Sequence, residues 1–199
     1  EKRYNNMELI SEAQLPTKFG NFTIKVFKNP ISLVEHYVLQ TNEVEGIIPM
    51  VRIHSECATG DIFGSLRCDC QSQLHHALAS IAQNKNGAVV YLKNHEGRGI
   101  GISNKIKAYH LQEQGLNTYE ANEALGLPAD DRNYDDAIAI LKILGYTSIT
   151  LITNNPAKEE AVKCAGITFT THHATASVNA HNQAYIDAKI NIGQHHIKL

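Results

Sequence analysis

No stretch of this chain is apolar for the roughly 20 residues that a helix needs to span a bilayer, so a helical membrane anchor is not expected. Nor is there a block of like charge: 18 Lys and Arg are set against 20 Asp and Glu, a formal net charge of -2. Without a basic field, nucleic acid is not an expected partner, and without a cationic run neither is a membrane surface. Residues Glu1 to Asn6 are polar and lack the apolar region of a secretory signal, so the expected compartment is the cytoplasm. There is no tryptophan, no internal repeat, no low-complexity tract and no shift in composition that would mark a linker. With 43% hydrophobic and 19% charged residues over 199 positions, the chain has the composition and length of one folded globular unit with its own core.

Cysteine is scarce as well, and its placement says more than its number. Three of the four, Cys57, Cys68 and Cys70, fall within 14 residues. The fourth, Cys164, stands alone in a predicted helix and reads as a small buried hydrophobe. In a reducing compartment, clustered thiols point to metal or catalysis rather than to disulfides. Three thiolates with no fourth cysteine nearby match an open catalytic zinc site, where water takes the fourth position and its pKa falls to about 7. Spacing alone leaves two other readings: a structural zinc closed by His54, His75 or His76, or a cluster with no metal. His54-Ser-Glu56 also suggests the zinc nucleobase deaminases. Their Pro-Cys-x-x-Cys is replaced here by Cys68-Asp-Cys70, however, so that reading fails on its ligands.

The pattern of apolar residues predicts strands over Phe22–Phe27, Leu33–Leu39 and Pro49–His54, an antiparallel-rich sheet. A helix over Gln71–Lys85 and a short buried strand over Ala88–Leu92 follow. Beyond them helices and strands alternate: a helix over Asn104–Gln114, a helix carrying Tyr134, Ala137, Ile138, Leu141 and Leu144, and a strand over Thr147–Thr153. Then come a helix opened by Pro156 and closed by Gly166, and a strand over Ile167–Thr171. The expected fold class is therefore α/β, mixed α+β, in a single domain. His172 to Leu199 is polar and receives no assignment.

Three polar segments interrupt these elements. Glu96-Gly-Arg-Gly-Ile-Gly101 lies between a strand and a helix, where glycines let the backbone approach a ligand and helix amides bind phosphate oxygens. A tight structural turn accounts for it equally well, since it is neither Gly-x-Gly-x-x-Gly nor a P-loop. Asp130-Asp-Arg132 precedes a predicted helix; its acids suit the positive helix end, whereas Arg132 gains nothing there and leans towards an anion. Thr153-Asn-Asn-Pro-Ala-Lys158 occupies a strand-to-helix turn, where open parallel sheets bind ligands.

Taken in order, these blocks resemble the GTP cyclohydrolase II family of riboflavin biosynthesis. The matching segments are Arg52-Ile-His-Ser-Glu-Cys57-Ala-Thr-Gly-Asp61, Ser65-Leu-Arg-Cys-Asp-Cys70, Glu96 to Gly101, Asn104-Lys-Ile-Lys-Ala-Tyr109, Glu120-Ala-Asn122, Asp130 to Arg132 and Thr153 to Pro156. The resemblance runs from Glu12 to Ile197, which makes residues 12–199 the domain and 1–11 a polar extension. The length resembles the stand-alone form of the family rather than its fusion with a dihydroxybutanone phosphate synthase. The resemblance implies hydrolysis of GTP to formate, pyrophosphate and a diaminopyrimidinone carrying ribose 5-phosphate. It implies one Zn2+ per subunit on Cys57, Cys68 and Cys70, whose activated water attacks C8 of guanine. Mg2+ accompanies the triphosphate, and the subunit forms a homodimer. By the same resemblance Arg52, Ile53, His54, Ser55, Glu56, Gln73, Glu96, Gly97, Arg98, Thr118, Thr153 and Lys158 hold the nucleotide. Asp130 is the proton acceptor, Tyr109 lies near the base, and Arg132 acts on the α-phosphorus. A guanidinium keeps its proton up to pH ~12, so stabilising charge on the phosphate is a more economical role for Arg132 than nucleophilic attack.

Overall fold

Val51 and Ile53 on one strand, and Ala88, Val89, Val90 and Leu92 on another, are fully excluded from solvent. Near-continuous apolar runs of this kind are what parallel strands need when both faces of a sheet are covered. In the structure, a computed structural model that describes residues 6–128, 130–174 and 178–197, these strands are β4 (Met50–Ser55) and β5 (Gly87–Leu92), paired in parallel with Ile53 opposite Val90. A side chain at Gly87 would collide with the carbonyl of Met50, so glycine permits the strands to meet there.

The remaining strands extend this pair in two styles. β1 (Glu8–Thr17), β2 (Gly20–Lys28) and β3 (Glu35–Gln40) form an antiparallel meander that joins β5 through β3. On the other side β6 (Ser148–Ile152) and β7 (Thr168–His172) continue in parallel from β4. The result is one seven-stranded mixed sheet of order β1-β2-β3-β5-β4-β6-β7, the expected mixed α/β class. α2 (Cys70–Asn84) covers one face, burying Ala77, Leu78 and Ile81 with Phe22, Val89 and Ile152. α5 (Asp135–Ile143) and α6 (Pro156–Cys164) cover the other face, where Ile138, Leu141 and Val162 meet Val51, Ile53 and Val90. Neighbouring residues of β5 thus serve opposite layers, as the period of two requires.

α1 (Ala58–Asp61), α3 (Ile102–Glu113), α4 (Thr118–Ala124), α7 (Gln183–Asn191) and a short 3-10 turn over Glu96–Gly99 complete the described elements. Among the described residues no helix is long and apolar enough to cross a membrane. The sequence pattern assigned no element to β1, α4 or α7, and it started β3 two residues early: Leu33 sits in a turn with φ 62°. Cys164 is a correction. It is exposed and its thiol donates to Glu160 Oε1 at 3.1 Å. The buried stripe of α6 is Lys158 and Val162, one turn apart, and a residue two positions past Val162 faces away from it.

Candidate active site

β4, β5 and β6 run in the same direction, so Ser55, Leu92 and Ile152 end at one edge of the sheet. The loops that leave these strands, together with α3 and α7, enclose a cleft of about 540 Å³, within the ~300–1,000 Å³ usual for small-molecule sites.

The three cysteines line it. Cys57 caps α1, Cys70 opens α2, and Cys68 precedes it by two residues. Their Sγ atoms all fall within 4.8 Å of one another, and Cys57 and Cys68 are 3.7 Å apart. Tetrahedral zinc with Zn–S bonds of about 2.3 Å places its sulfurs roughly 3.8 Å apart, so the spacing fits. Gly60 provides the room, because a methyl group there would lie 2.7 Å from Cys68 Sγ. Hydrogen bonds from the Cys68 and Cys70 thiols pull the Cys57 thiol far below its ordinary value. In return, Cys68 is pushed up to about 11 and Cys70 well above its ordinary value, chiefly by those same hydrogen bonds to Cys57. Three sulfurs this close need a cation before all can ionise. Among the described residues no His, Asp or Glu joins the trio. His54 is committed elsewhere, donating from Nε2 to Asp61 at 3.1 Å. His75 packs on Phe19, with ring centroids 5.0 Å apart, and His76 stacks on His172 at 5.9 Å. A zinc closed by one of these histidines is therefore not what the geometry offers.

The trio is held by Asp61 and Lys105, to which the sequence reading gave no role, and by Glu96, which it assigned to the nucleotide. Asp61 Oδ2 accepts from the Cys57 amide at 3.1 Å and from Tyr91 Oη at 2.7 Å. Lys105, buried on α3, donates from Nζ to Cys57 Sγ at 3.2 Å, to Thr59 Oγ1 at 2.9 Å and to Glu96 Oε1 at 2.5 Å. Glu96 Oε2 accepts from the Ala58 amide at 2.6 Å. Glu96 thus ties the glycine-rich turn to α1. Burial opposes the charge on Lys105, but Cys57, Tyr109 and Glu96 outweigh it and raise the pKa above its ordinary value. Tyr109, one turn further along α3, lines the cleft under the Arg67 guanidinium, 4.5 Å from its ring centroid.

The cleft also holds buried cations. Arg52 is buried and donates to His54 Nδ1, the Ile152 carbonyl and Gln73 Oε1 at 3.3, 3.4 and 2.5 Å. Lys158 is buried too; its ammonium donates to the Ile53 carbonyl at 2.8 Å and lies 5.7 Å from the centroid of the Tyr134 ring. Burial, then repulsion from Arg52 and Arg132, drives its pKa well below the usual lysine range. Among the described residues neither cation has a carboxylate within ion-pair distance. Such a pair invites an anionic ligand. Arg132 is clasped by Asp130 through Nε at 2.9 Å and Nη2 at 2.5 Å. Although burial opposes the charge, Asp130 wins and holds the guanidinium protonated above its ordinary value. The Asp131 amide donates to the Arg98 carbonyl at 2.9 Å, which clamps this loop onto the glycine-rich turn, where Gly97 and Arg98 both take left-handed φ of 59° and 63°.

Ser55, Glu56 and Thr153 also line the cleft. Glu56 pairs with Lys93 and accepts from the Asn94 amide at 3.1 Å, and Thr153 Oγ1 accepts from the Asn155 amide at 3.0 Å. Ile53 is not brought to the cleft: its side chain belongs to the core and only its carbonyl meets Lys158. Thr118 opens α4, but its side chain lies outside the described residues. His95 was not anticipated. Its Nε2 donates to the Asn133 carbonyl at 3.0 Å, which leaves Nδ1 to accept from Ser55 Oγ at 3.1 Å. Burial first, then Arg132 and Lys158, lower its pKa to about 4.

The family model for GTP cyclohydrolase II matches residues 8–174. The chain belongs to the GTP cyclohydrolase II family. It is 45% identical over 193 residues to the GTP cyclohydrolase-2 of Actinobacillus succinogenes, covering 96% of this chain and 88% of that protein. It is 48% identical over 165 residues to the GTP cyclohydrolase-2 of Picrophilus torridus, covering 82% and 85%. The riboflavin biosynthesis protein RibBA of Salinispora tropica is 43% identical over 186 residues; there the match takes in 92% of this chain but 46% of the relative, so the chain spans about half the length of such proteins. All the cleft residues anticipated from the sequence lie inside the segment matched to GTP cyclohydrolase II, whereas α7 lies beyond it.

Proposed function

We infer that this GTP cyclohydrolase II family member hydrolyses GTP, opening the imidazole ring of the purine to release formate and pyrophosphate and leave a diaminopyrimidinone with ribose 5-phosphate. One observation carries the reading: a single cleft is lined by three metal-competent thiols and by two buried cations without carboxylate partners. Guanine belongs against the sulfurs and the triphosphate against the cations, with Mg2+ accompanying the phosphates.

Zn2+ held by Cys57, Cys68 and Cys70 would supply the Lewis acidity that activates water at neutral pH. Lys105 sets a positive charge beside the sulfurs and tempers the negative charge of a three-thiolate site. Tyr109, on the same helix, is suited to touch the base and donate a hydrogen bond near the reacting carbon. Arg52 and Lys158 bind phosphate oxygens, with Gln73 orienting the Arg52 fork. Arg132, kept cationic by Asp130, stabilises charge at the α-phosphate. Asp130 itself stays anionic: burial pushes its pKa up, but the hydrogen bonds and charge of Arg132 bring it below the ordinary carboxylate value. It is therefore able to accept a proton as well as to orient its partner. A cytoplasmic homodimer is part of the same reading.

The test is to incubate zinc-replete protein with GTP and Mg2+ and to quantify formate, pyrophosphate and the pyrimidine product. Equimolar formate and pyrophosphate are expected. Release of pyrophosphate with neither formate nor a ring-opened formamide would refute ring opening.

A further inference from the structure

Asp69 stands between two of the metal-competent cysteines, and its carboxylate makes two contacts. Gln73 Nε2 donates to Oδ2 at 2.5 Å, and Lys189 Nζ donates to Oδ1 at 2.7 Å. Gln73 in turn accepts from Arg52. A continuous chain of polar contacts therefore runs from Lys189 through Asp69 and Gln73 to a buried cation of the cleft. Lys189 comes from α7, 120 residues away in sequence from Asp69 and outside the segment matched to the family. It is buried, and its ammonium also lies 4.5 Å from the centroid of the Tyr185 ring, one turn earlier on α7. Tyr185, Ala184, His181 and Lys189 itself line the cleft.

We propose that Lys189 is a positioning residue for substrate: through Asp69 it fastens α7 across the cleft and fixes Gln73 and Arg52 in their binding poses. This rests on the reading of the cleft as a GTP site. The physical argument is that a carboxylate buried this deeply must keep a cation. Without Lys189, Asp69 draws on the nearest other one, and Arg52, a single side chain away through Gln73, leaves its place to supply it. The proposal gives Lys189 no contact with the nucleotide.

The experiment measures the Kd of a non-hydrolysable GTP analogue and zinc content in the zinc-replete full chain and in three variants: Lys189→Met, Asp69→Asn and the double variant. The expected result is stoichiometric zinc throughout and analogue binding weakened at least tenfold in Lys189→Met. The double variant buries no unpaired charge, and the amide that replaces the Asp69 carboxylate keeps the Gln73 contact, so there binding recovers to within threefold of wild type. If Lys189→Met turns over GTP, its KM rises more than its kcat falls. Wild-type affinity in Lys189→Met overturns the proposal, because α7 is then only a structural cap. A tenfold loss that persists in the double variant also overturns it, because Lys189 then acts on the nucleotide directly. If Lys189→Met is too unstable to assay, the double variant decides alone on that same threefold and tenfold scale. Since binding of the analogue needs no turnover, failure of the staple is separable from failure of the activity: wild type that binds the analogue but releases no formate counts against the activity only.

Discussion

Replacing Gly60 by alanine isolates the packing of the three sulfurs from everything else in the molecule. Gly60 lies inside α1, so its backbone asks nothing special of glycine, and alanine is favoured over glycine in a helix by about 1 kcal/mol. The added methyl group would sit 2.7 Å from Cys68 Sγ, 3.1 Å from Cys70 Cβ and 3.2 Å from Cys57 Sγ. Non-bonded atoms settle at roughly 3.5–4.0 Å, so Cys68 must retreat by about 0.8 Å or more. Zinc–sulfur distances tolerate about ±0.2 Å. Overpacking of this order costs ~1–3 kcal/mol, and borne by the metal-bound state it weakens zinc affinity roughly 5- to 150-fold. Without metal the thiols are free to turn aside, so the chelator-stripped protein is expected to melt at or slightly above the wild-type temperature. The assay is competition for zinc against a chromogenic chelator, paired with thermal unfolding of the metal-free protein. Zinc affinity within twofold of wild type would refute the steric reasoning. A matching loss of metal-free stability would show a fold defect instead.

Three further outcomes test the site. Cys68→Ser is expected to lose bound zinc and formate release while keeping its secondary structure; retention of zinc at one equivalent would contradict the three-thiol centre. Arg132→Ala should lose pyrophosphate release at least 100-fold, as removal of a positioned charge stabiliser does, with zinc content unchanged, and undiminished pyrophosphate would remove Arg132 from the mechanism. His95, buried and neutral with a pKa lowered from 6.5 to about 4, makes stability fall on acidification. Above pH 6.5 neither folded nor unfolded chain binds its proton and the contribution is complete. As pH falls towards 4 only the unfolded chain takes up the proton, which costs up to about 1.4 kcal/mol per pH unit and on the order of 3 kcal/mol in all. Unfolding free energies measured between pH 4 and 6.5 should therefore show a shallower pH slope in His95→Gln than in wild type, and equal slopes would dismiss the assignment.

The parallel centre of the fold was readable because Val51–Ile53 and Ala88–Leu92 are dense apolar runs and because Pro156 and Gly166 bracket α6. β1 was not readable. It is an edge strand exposed on most of its length, with a register shift between Leu9 and Ser11, so no alternation of two marks it. Among its described residues α4 buries Ala121 and Asn122, and α7 buries Ile186 and Lys189, pairs too mixed in polarity to announce a helix. At the site, the cysteine spacing announced itself. Lys105, Asp61, Asp69 and His95 did not, because each works by reaching a partner that only the tertiary fold supplies.

β4 gives its odd and even residues opposite duties. Val51 and Ile53 face α5 and α6, while Arg52 and His54 turn to the layer that carries α2 and the sulfurs. A slip of one residue would trade these sets, sending a guanidinium and an imidazole into oil and leaving two hydrocarbons where the ligand belongs. Along this strand, chemistry and foldedness are consequently not separable traits: a chain that has its sheet in register has its binding groups aimed already, and a misaligned one has neither. Engineering that seeks altered turnover with intact stability should leave these four residues untouched and work on the loop at the strand's carboxyl end.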